Sequence, residues 1–401
     1  MIRLLSTARH HPRSYPCPRY AADAECVVNM TRMRSMVWIL GSLYFVGLAG
    51  CGGSDSPDSN SPPPVATVDR FAAVDAAAKA AFDTAAIRGM GVSIYTRDGT
   101  KVFERMYGDF SADRRVAIAS ASKMISGVVL FRLIDRGYLS LDSTTGEVLG
   151  WSGPQASITL RHLLSFTSGL PPENSCVFRP DMSLADCVDI ISRLDPMGAP
   201  GTRFAYGSVH LHVAARMAEV RVGSAWNAIF AAELVQPLGL PADLRYYTFP
   251  VQKTGSDNPL IAGGLQTTMN EYARLLQFIY DKGKWQGSAL LAETLFDQQA
   301  MEPYPSVVIV GSPMQDAGSP YRYGLTAWLE CLTPAAGCAT ISSPGAFGFT
   351  PWLDRENGYF AIVGMQVTDG IEMEGEDTRP GRFSAGLQQQ LKPLIVTALR
   401  Q

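Results

Sequence analysis

Long apolar runs are scarce in this chain. Only residues 36–50, MVWILGSLYFVGLAG, approach the roughly 20 residues a helix needs to span a bilayer, and they fall short of it. An excess of one charge is missing too. The 34 Lys and Arg against 37 Asp and Glu give a net charge of −3, which leaves no electrostatic footprint for nucleic acid. Charged residues at 18% and hydrophobic residues at 46% exclude a disordered chain. The 37 Gly and 26 Pro are ordinary for 401 residues, which excludes collagen-like and low-complexity classes, and seven Cys are too few for a disulfide scaffold. Several motifs are also absent: the Gly-x-Ser-x-Gly elbow, His-Glu-x-x-His, the Walker loop and Gly-x-Gly-x-x-Gly. Of five His, His10 and His11 lie near the N-terminus, leaving His162, His210 and His212. The last two stand at i and i+2 of an expected helix and face apart, so a metal pair is not expected. A Ser-His-Asp triad is not excluded by counting, but none of these His sits in a motif that requires it.

What is present begins with a leader. Arg32 and Arg34 precede the apolar run, which ends in Leu48-Ala49-Gly50-Cys51. A basic segment, a short apolar segment and small residues before a cleavage point describe a secretory signal. The last four residues resemble the bacterial lipobox, whose Cys becomes the lipidated first residue. Residues 1–50 are therefore expected to be a signal segment, with the true start at Met30 or Met33, because residues 1–29 are polar and Pro-rich. Cys51 is the expected lipidation site, and residues 51–68, rich in Gly, Ser, Pro and Asp, are an expected flexible tether. The implied location is a bacterial cell envelope, with the membrane as a partner through the anchor.

The folded part is expected over 69–401. Residues 69–88 carry Phe71, Val74, Ala78 and Phe82 at helical spacing, with Gly89 as a stop. Two strands, Gly91–Arg97 and Lys101–Tyr107, flank Asp98-Gly99, a hairpin turn. Helices are expected over Ser120–Arg136, Thr159–Ser168, Ser183–Leu194 (with a Ser183/Asp186 capping box), Ser208–Val222, Ser224–Val235 and Asn270–Lys282. Strands return at Tyr323–Glu330, Phe349–Leu353 and Tyr359–Val367, and a helix over Arg382–Leu399 closes the chain. Strands at both ends with helices between them predict an α+β fold: one antiparallel sheet flanked by helices, with an inserted helical region. The sheet region is 69–119 with 300–401, and the helical region is 120–299.

One pattern carries chemistry: Ala119-Ser120-Ala121-Ser122-Lys123. Ser120 and Lys123 are i, i+3 and share a helix face. A Ser hydroxyl needs a neighbouring base, and a Lys amine serves once its pKa falls from about 10.4 by roughly 3 units. Burial lowers it, and the following MISGVVLFRLI is apolar on nearly every side. Free N–H groups at the first turn would stabilise an oxyanion. Taken alone, Ser-x-x-Lys is common and is more often an ordinary capping Ser with a surface Lys.

The wider sequence resembles the serine β-lactamase-like hydrolases, the group of class C β-lactamases, DD-peptidases, D-aminopeptidases and β-lactamase-like esterases. The resemblance runs from Asp69 to the C-terminus. It rests on five segments in order: Ile118–Lys123, the stretch ITLRHLLSFTSGLP at 158–171, PGTRFAYGS at 200–208, AGGLQTT at 262–268, and Tyr323-Gly324-Leu325. It implies Ser120 as acylated nucleophile, Lys123 as its proton acceptor, and Tyr206 as a second base that serves the leaving group. The oxyanion hole would be the backbone N–H groups of Ser120 and Ala346, the latter on an edge strand. His162 and Trp328 are expected to pack and hydrogen-bond near the site without doing chemistry.

Two departures bear on substrate. Ser208 replaces the Asn that many members use to hold the acyl side chain. Ser343-Pro344-Gly345 replaces a Lys/His-Thr/Ser-Gly motif, so no cation stands at 343 to hold a substrate carboxylate. Ser208, Ser343 and Gly345 are the expected substrate contacts, with Arg179 or Arg322 as a substitute cation. Pro344 lacks a backbone donor, which a strand tolerates only at an edge or a ladder end. The expectation is a carboxylesterase on small esters, with no cofactor, no metal and no nucleic-acid partner. The alternatives are a D-amino-acid amidase, DD-peptidase or β-lactamase acting on an amide, and a non-catalytic envelope lipoprotein that binds peptides or a partner. In an oxidising compartment the neighbouring pairs Cys176/Cys187 and Cys331/Cys338 are expected to form disulfides; a buried free thiol at Cys187 is the alternative.

Overall fold

The computed structural model describes residues 69–85, 87–365 and 380–401. The expected signal segment, Cys51 and the tether lie outside the described residues. Seven strands form one sheet: β1 Gly89–Thr96, β2 Lys101–Gly108, β3 Arg322–Tyr323, β4 Trp328–Leu329, β5 Thr340–Ser342, β6 Thr350–Asp354 and β7 Tyr359–Met365, in spatial order β2-β1-β7-β6-β5-β4-β3. Every neighbouring pair is antiparallel. The Asp98-Gly99 hairpin joins β1 to β2, with Gly99 at φ 83° in the left-handed region. β1 then pairs with β7 across the whole sequence, from Met90 opposite Met365 to Thr96 opposite Tyr359. All seven strands fall within 69–119 and 300–401.

Strand side chains alternate between faces, so each strand feeds two cores. Val92, Ile94, Ala361 and Val363 face one layer, built with Val74 and Ala78 of α1 (Ala72–Thr84) and Leu391 and Ile395 of a long C-terminal helix, Pro380–Leu399. Tyr95, Phe360 and Ile362 face the other, larger layer. At its centre lies α2 (Ser122–Asp135), buried without interruption from Ser122 through Phe131. That all-round burial is why its sequence shows no polar face. Val209–Val222 and Met269–Tyr280 complete the helical region.

Several expected boundaries shift. Gly89 opens β1 rather than stopping α1, which ends at Thr84. The helix expected over Thr159–Ser168 shortens to Leu160–Leu164, because Thr159 and His162 form a capping box and Phe166 takes φ 57°. The helix expected over Ser224–Val235 is Trp226–Phe230 followed by a π turn over Ala231–Val235. The strand expected over Tyr323–Glu330 is two short strands, β3 and β4, folded back on each other with Thr326 at φ 64°. β5 had no local signal; its three residues are buried between β4 and β6. The Ser183/Asp186 capping box forms as expected, on Leu184–Ile191.

Both neighbouring cysteine pairs are bonded, Cys176 to Cys187 and Cys331 to Cys338. Cys187 sits on the apolar face of its helix with Leu184, Val188 and Ile191 and is bonded there rather than free. Closing a loop of this length removes denatured-state entropy worth about 2–3 kcal/mol. Replacing Cys176 and Cys187 together by Ala is therefore expected to lower the urea unfolding free energy by that amount. Thiol titration of the unreduced, denatured wild type is expected to find none of these four reactive.

Candidate active site

The chain reaches Ser120 through a strained turn. Val116–Ala117 pairs with Gln266–Thr267, and the Ile118 N–H continues that contact to the Leu265 carbonyl at 3.3 Å. Ala119 then takes φ 45°, a conformation costing a non-glycine residue about 1–3 kcal/mol that neighbouring structure must hold. The holding contacts are close. The Ser122 Oγ accepts the Leu265 N–H at 3.2 Å, and a Cβ at Gly345 would stand 2.0 Å from the Ile118 carbonyl, so only glycine fits there. Ser120 thus lies on a 3-10 turn, Ala119–Ala121, that feeds α2, rather than inside the first turn of an α-helix.

Lys123 follows one turn later and is buried. Its Nζ is 2.9 Å from Ser120 Oγ and 3.0 Å from the Ala262 carbonyl, and 4.6 Å from the centre of the Tyr206 ring. Desolvation lowers its pKa to about 8, against an opposing pull from Glu173. Tyr206 follows the short strand Arg203–Ala205 and gives its N–H to Gly311 at 3.0 Å. Its ring is wedged among Phe166, Trp328 and Tyr323 at 5.4, 5.2 and 5.7 Å. Burial drives its hydroxyl pKa upward, only partly offset by interaction with Ser120. At neutral pH Tyr206 is therefore a phenol, and Lys123 is the group poised to exchange a proton.

His210 positions this tyrosine. Its Nε2 donates to the Ala205 carbonyl at 2.9 Å, so the neutral ring leaves Nδ1 to accept from Ser168 Oγ at 2.8 Å. Desolvation holds its pKa near about 4, so it stays uncharged. His162 serves the capping box and stacks on Tyr304 at 5.0 Å, while Trp328 packs on Tyr206 and lines the cavity. Among the described residues, no group of three or more His, Cys, Asp or Glu is placed to hold a metal ion.

Ser120, Tyr206, Trp328, Gly345 and Ala346 open onto one cavity of about 910 Å³. Ala346 lies in the turn between β5 and β6, and β5 is an interior strand, so the expected edge-strand position is corrected. Among the described residues no acceptor engages the Ala346 N–H, whereas the Gly345 N–H is bonded to the Phe349 carbonyl at 2.8 Å. Pro344 stands just beyond the last ladder residue, Ser342. Ser343 is buried and its hydroxyl donates to the Ser120 carbonyl at 3.0 Å. Ser208 donates to Glu173 at 3.1 Å. Neither serine is among the residues that line the cavity; each hydroxyl is committed inside the protein.

Neither Arg179 nor Arg322 lines the cavity. Arg179 pairs with Asp181, and Arg322 pairs with Glu302. Arg382, at the start of the C-terminal helix, lines the cavity instead and has no ion pair among the described residues. Glu173 and Arg382 carry no motif of their own. Glu173 does lie two residues past the stretch at 158–171, and that proximity was the available signal.

The fold is an antiparallel sheet with flanking helices, and it brings Tyr206 against Ser120 and Lys123 at the start of a buried helix. A family model described as Beta-lactamase matches residues 74–382, and the chain belongs to that family. Penicillin-binding protein 4 of Amycolatopsis lactamdurans is 31% identical over 127 residues, covering 30% of this chain and 33% of that relative, so the match spans about a third of the relative's length. A Bacteroides dorei protein whose crystal structure carries a provisional β-lactamase description is 28% identical, with a TM-score of 0.71 over 82% of this chain and 99% of that one. The unliganded simvastatin synthase of Aspergillus terreus is 16% identical, with a TM-score of 0.62 over 83% of this chain and 99% of that one, a likeness of fold alone.

The electrostatics set a pH dependence. With Lys123 near pKa 8, the free amine grows tenfold per pH unit below that value and levels off above it. The rate of covalent modification of Ser120 is expected to rise with a midpoint near pH 8. Glu173→Gln removes the charge that favours the ammonium, so the midpoint should move to lower pH. A midpoint unmoved in the variant would remove Glu173 from the electrostatics of the site.

Proposed function

We propose that the chain hydrolyses carboxylic esters through a Ser120 acyl-enzyme. The observation that carries this reading is the 2.9 Å contact between Ser120 Oγ and a buried Lys123 whose pKa is brought down to about 8. In the amine form Lys123 takes the Ser120 proton as Oγ bonds to the substrate carbonyl carbon. The carbonyl oxygen gains negative charge, which the N–H groups of Ser120 and Ala346 are suited to receive. As the bond to the alcohol breaks, Tyr206 gives that oxygen its proton and recovers one from the Lys123 ammonium. Water then attacks the acyl-enzyme, and the same groups carry its proton in reverse.

The case for esters rests on what surrounds the nucleophile. Position 343 offers no cation, and the Ser343 hydroxyl holds the Ser120 carbonyl instead of reaching outward. EstCE1, a fold neighbour, is described as a hydrolase with promiscuous acyltransferase activity. Arg382 favours a second reading, hydrolysis of an anionic amide or lactam, because it brings to the cavity wall a cation with no ion pair among the described residues. Export and anchoring through Cys51 are part of the proposal, and the two disulfides suit an oxidising compartment.

Fluorophosphonate labelling separates an enzyme from a binding protein. Wild type is expected to label and Ser120→Ala to lose the label entirely. Lys123→Ala and Tyr206→Phe should each slow acylation by a factor on the order of 10² or more without unfolding the protein. Turnover of p-nitrophenyl butyrate should exceed that of a cephalosporin. A cephalosporin kcat/KM at or above the ester value would establish the second reading, and Arg382→Gln should then lower it.

A further inference from the structure

The cavity is far larger than a short ester needs. At about 910 Å³ it lies in the range that encloses a whole drug-sized ligand. Its apolar lining includes Trp328, Met314, Pro344 and Ala385, of which Trp328 packs on Tyr206 and Pro344 adjoins Gly345. Tyr321, Glu330, Gln388 and Gln389 line it as well.

These polar groups form a fixed network. Glu330, its side chain 1% exposed, receives hydrogen bonds from Gln388 Nε2 at 2.8 Å, Gln389 Nε2 at 3.2 Å and Lys392 Nζ at 2.7 Å. The Tyr321 hydroxyl donates to Gln389 Oε1 at 3.0 Å. Gln388 is buried and accepts the second Gln389 amide hydrogen at 3.2 Å, whereas Gln389 is exposed and keeps one lone pair of its Oε1 to accept from a donor. Lys392 cancels the charge of Glu330, and Arg382 and Asp316 on the cavity wall are likewise of opposite sign. The polar set carries hydrogen-bonding capacity with no net charge.

The C-terminal helix sets its distance from the chemistry. At one end Gly381 packs so tightly on Ala346 and the Gly345 carbonyl that a Cβ there would meet both at 3.0 Å. At the other, Gln388 is bonded to Glu330. Seven residues at about 1.5 Å each put the two anchor points roughly 10 Å apart along the axis. Along the strand, Glu330 stands two residues, about 7 Å, past Trp328, which packs on Tyr206.

From this we infer a distal subsite: Gln389 and Tyr321, held by the Glu330 network, receive a neutral hydroxyl or amide group carried about 10 Å from the scissile bond by an apolar arm. The inference rests on the Ser120 reading and names the substrate class, an amphipathic ester with a distant uncharged polar head.

The test uses three ethyl fluorophosphonates, with a butyl, an octyl and an 8-hydroxyoctyl tail, and measures the second-order rate of Ser120 labelling in wild type, Gln389→Leu and Tyr321→Phe. Wild type is expected to react about five- to tenfold faster with the hydroxyoctyl than with the octyl reagent, the scale of one or two added hydrogen bonds. Both variants should reduce that ratio toward one. Equal octyl and hydroxyoctyl rates, with both above butyl, would overturn the polar head and leave an apolar cleft. Three equal rates would overturn the subsite altogether while leaving Ser120 as the nucleophile. No labelling by any reagent would overturn both the subsite and the Ser120 reading.

Discussion

The site depends on one constraint: an amine buried beside the Ser120 hydroxyl. In water a lysine is protonated at any physiological pH and useless as a base. Packing Lys123 under the Tyr206 ring and against the Ala262 carbonyl makes the charged form expensive, and the pKa falls to about 8. The helical layer serves this end. α2 is buried without interruption from Ser122 through Phe131, so the lysine at its second residue has nowhere to snorkel. The aromatic wedge of Phe166, Tyr323 and Trp328 keeps Tyr206 over that lysine, and His210 ties down the preceding carbonyl.

The same burial divides labour between the two titratable partners. Desolvation moves a lysine and a tyrosine in opposite directions, because it opposes the ammonium in one and the phenolate in the other. Lys123 thereby gives up its proton more readily, while Tyr206 holds on to its own. A single apolar environment thus separates an acid from a base a few ångströms apart. Glu173 partly opposes the shift on Lys123 and keeps the amine from losing its proton too readily.

Strain is placed beside this pair. Ala119 sits in the left-handed region, and Gly345 lies against the Ile118 carbonyl with no room for a side chain. Ser343, expected at the substrate, instead spends its hydroxyl on the Ser120 carbonyl. The turn that carries the nucleophile is therefore clamped from β5's end by two residues of one motif. That motif carries no cation at 343 and serves as part of the scaffold.

Much of this was legible in the residues. Periodicity located the flanking helices, Asp98-Gly99 announced its hairpin, and the Ser-x-x-Lys spacing with the segment around Tyr206 pointed to the three groups that converge. Such signals survive because they are local: a turn, a cap or an i, i+3 pair is decided by neighbours in sequence. What escaped was non-local. β5 is three residues long and is a strand only because β4 and β6 pair with it. Glu173, Arg382 and the Glu330 network owe their positions to segments far apart in the chain, and no spacing records that. The sequence alone determined which groups could do chemistry, since that is a property of side-chain type and short-range geometry. The tertiary structure decided what those groups are at neutral pH and what shares their cavity, because desolvation and proximity exist only once distant segments pack.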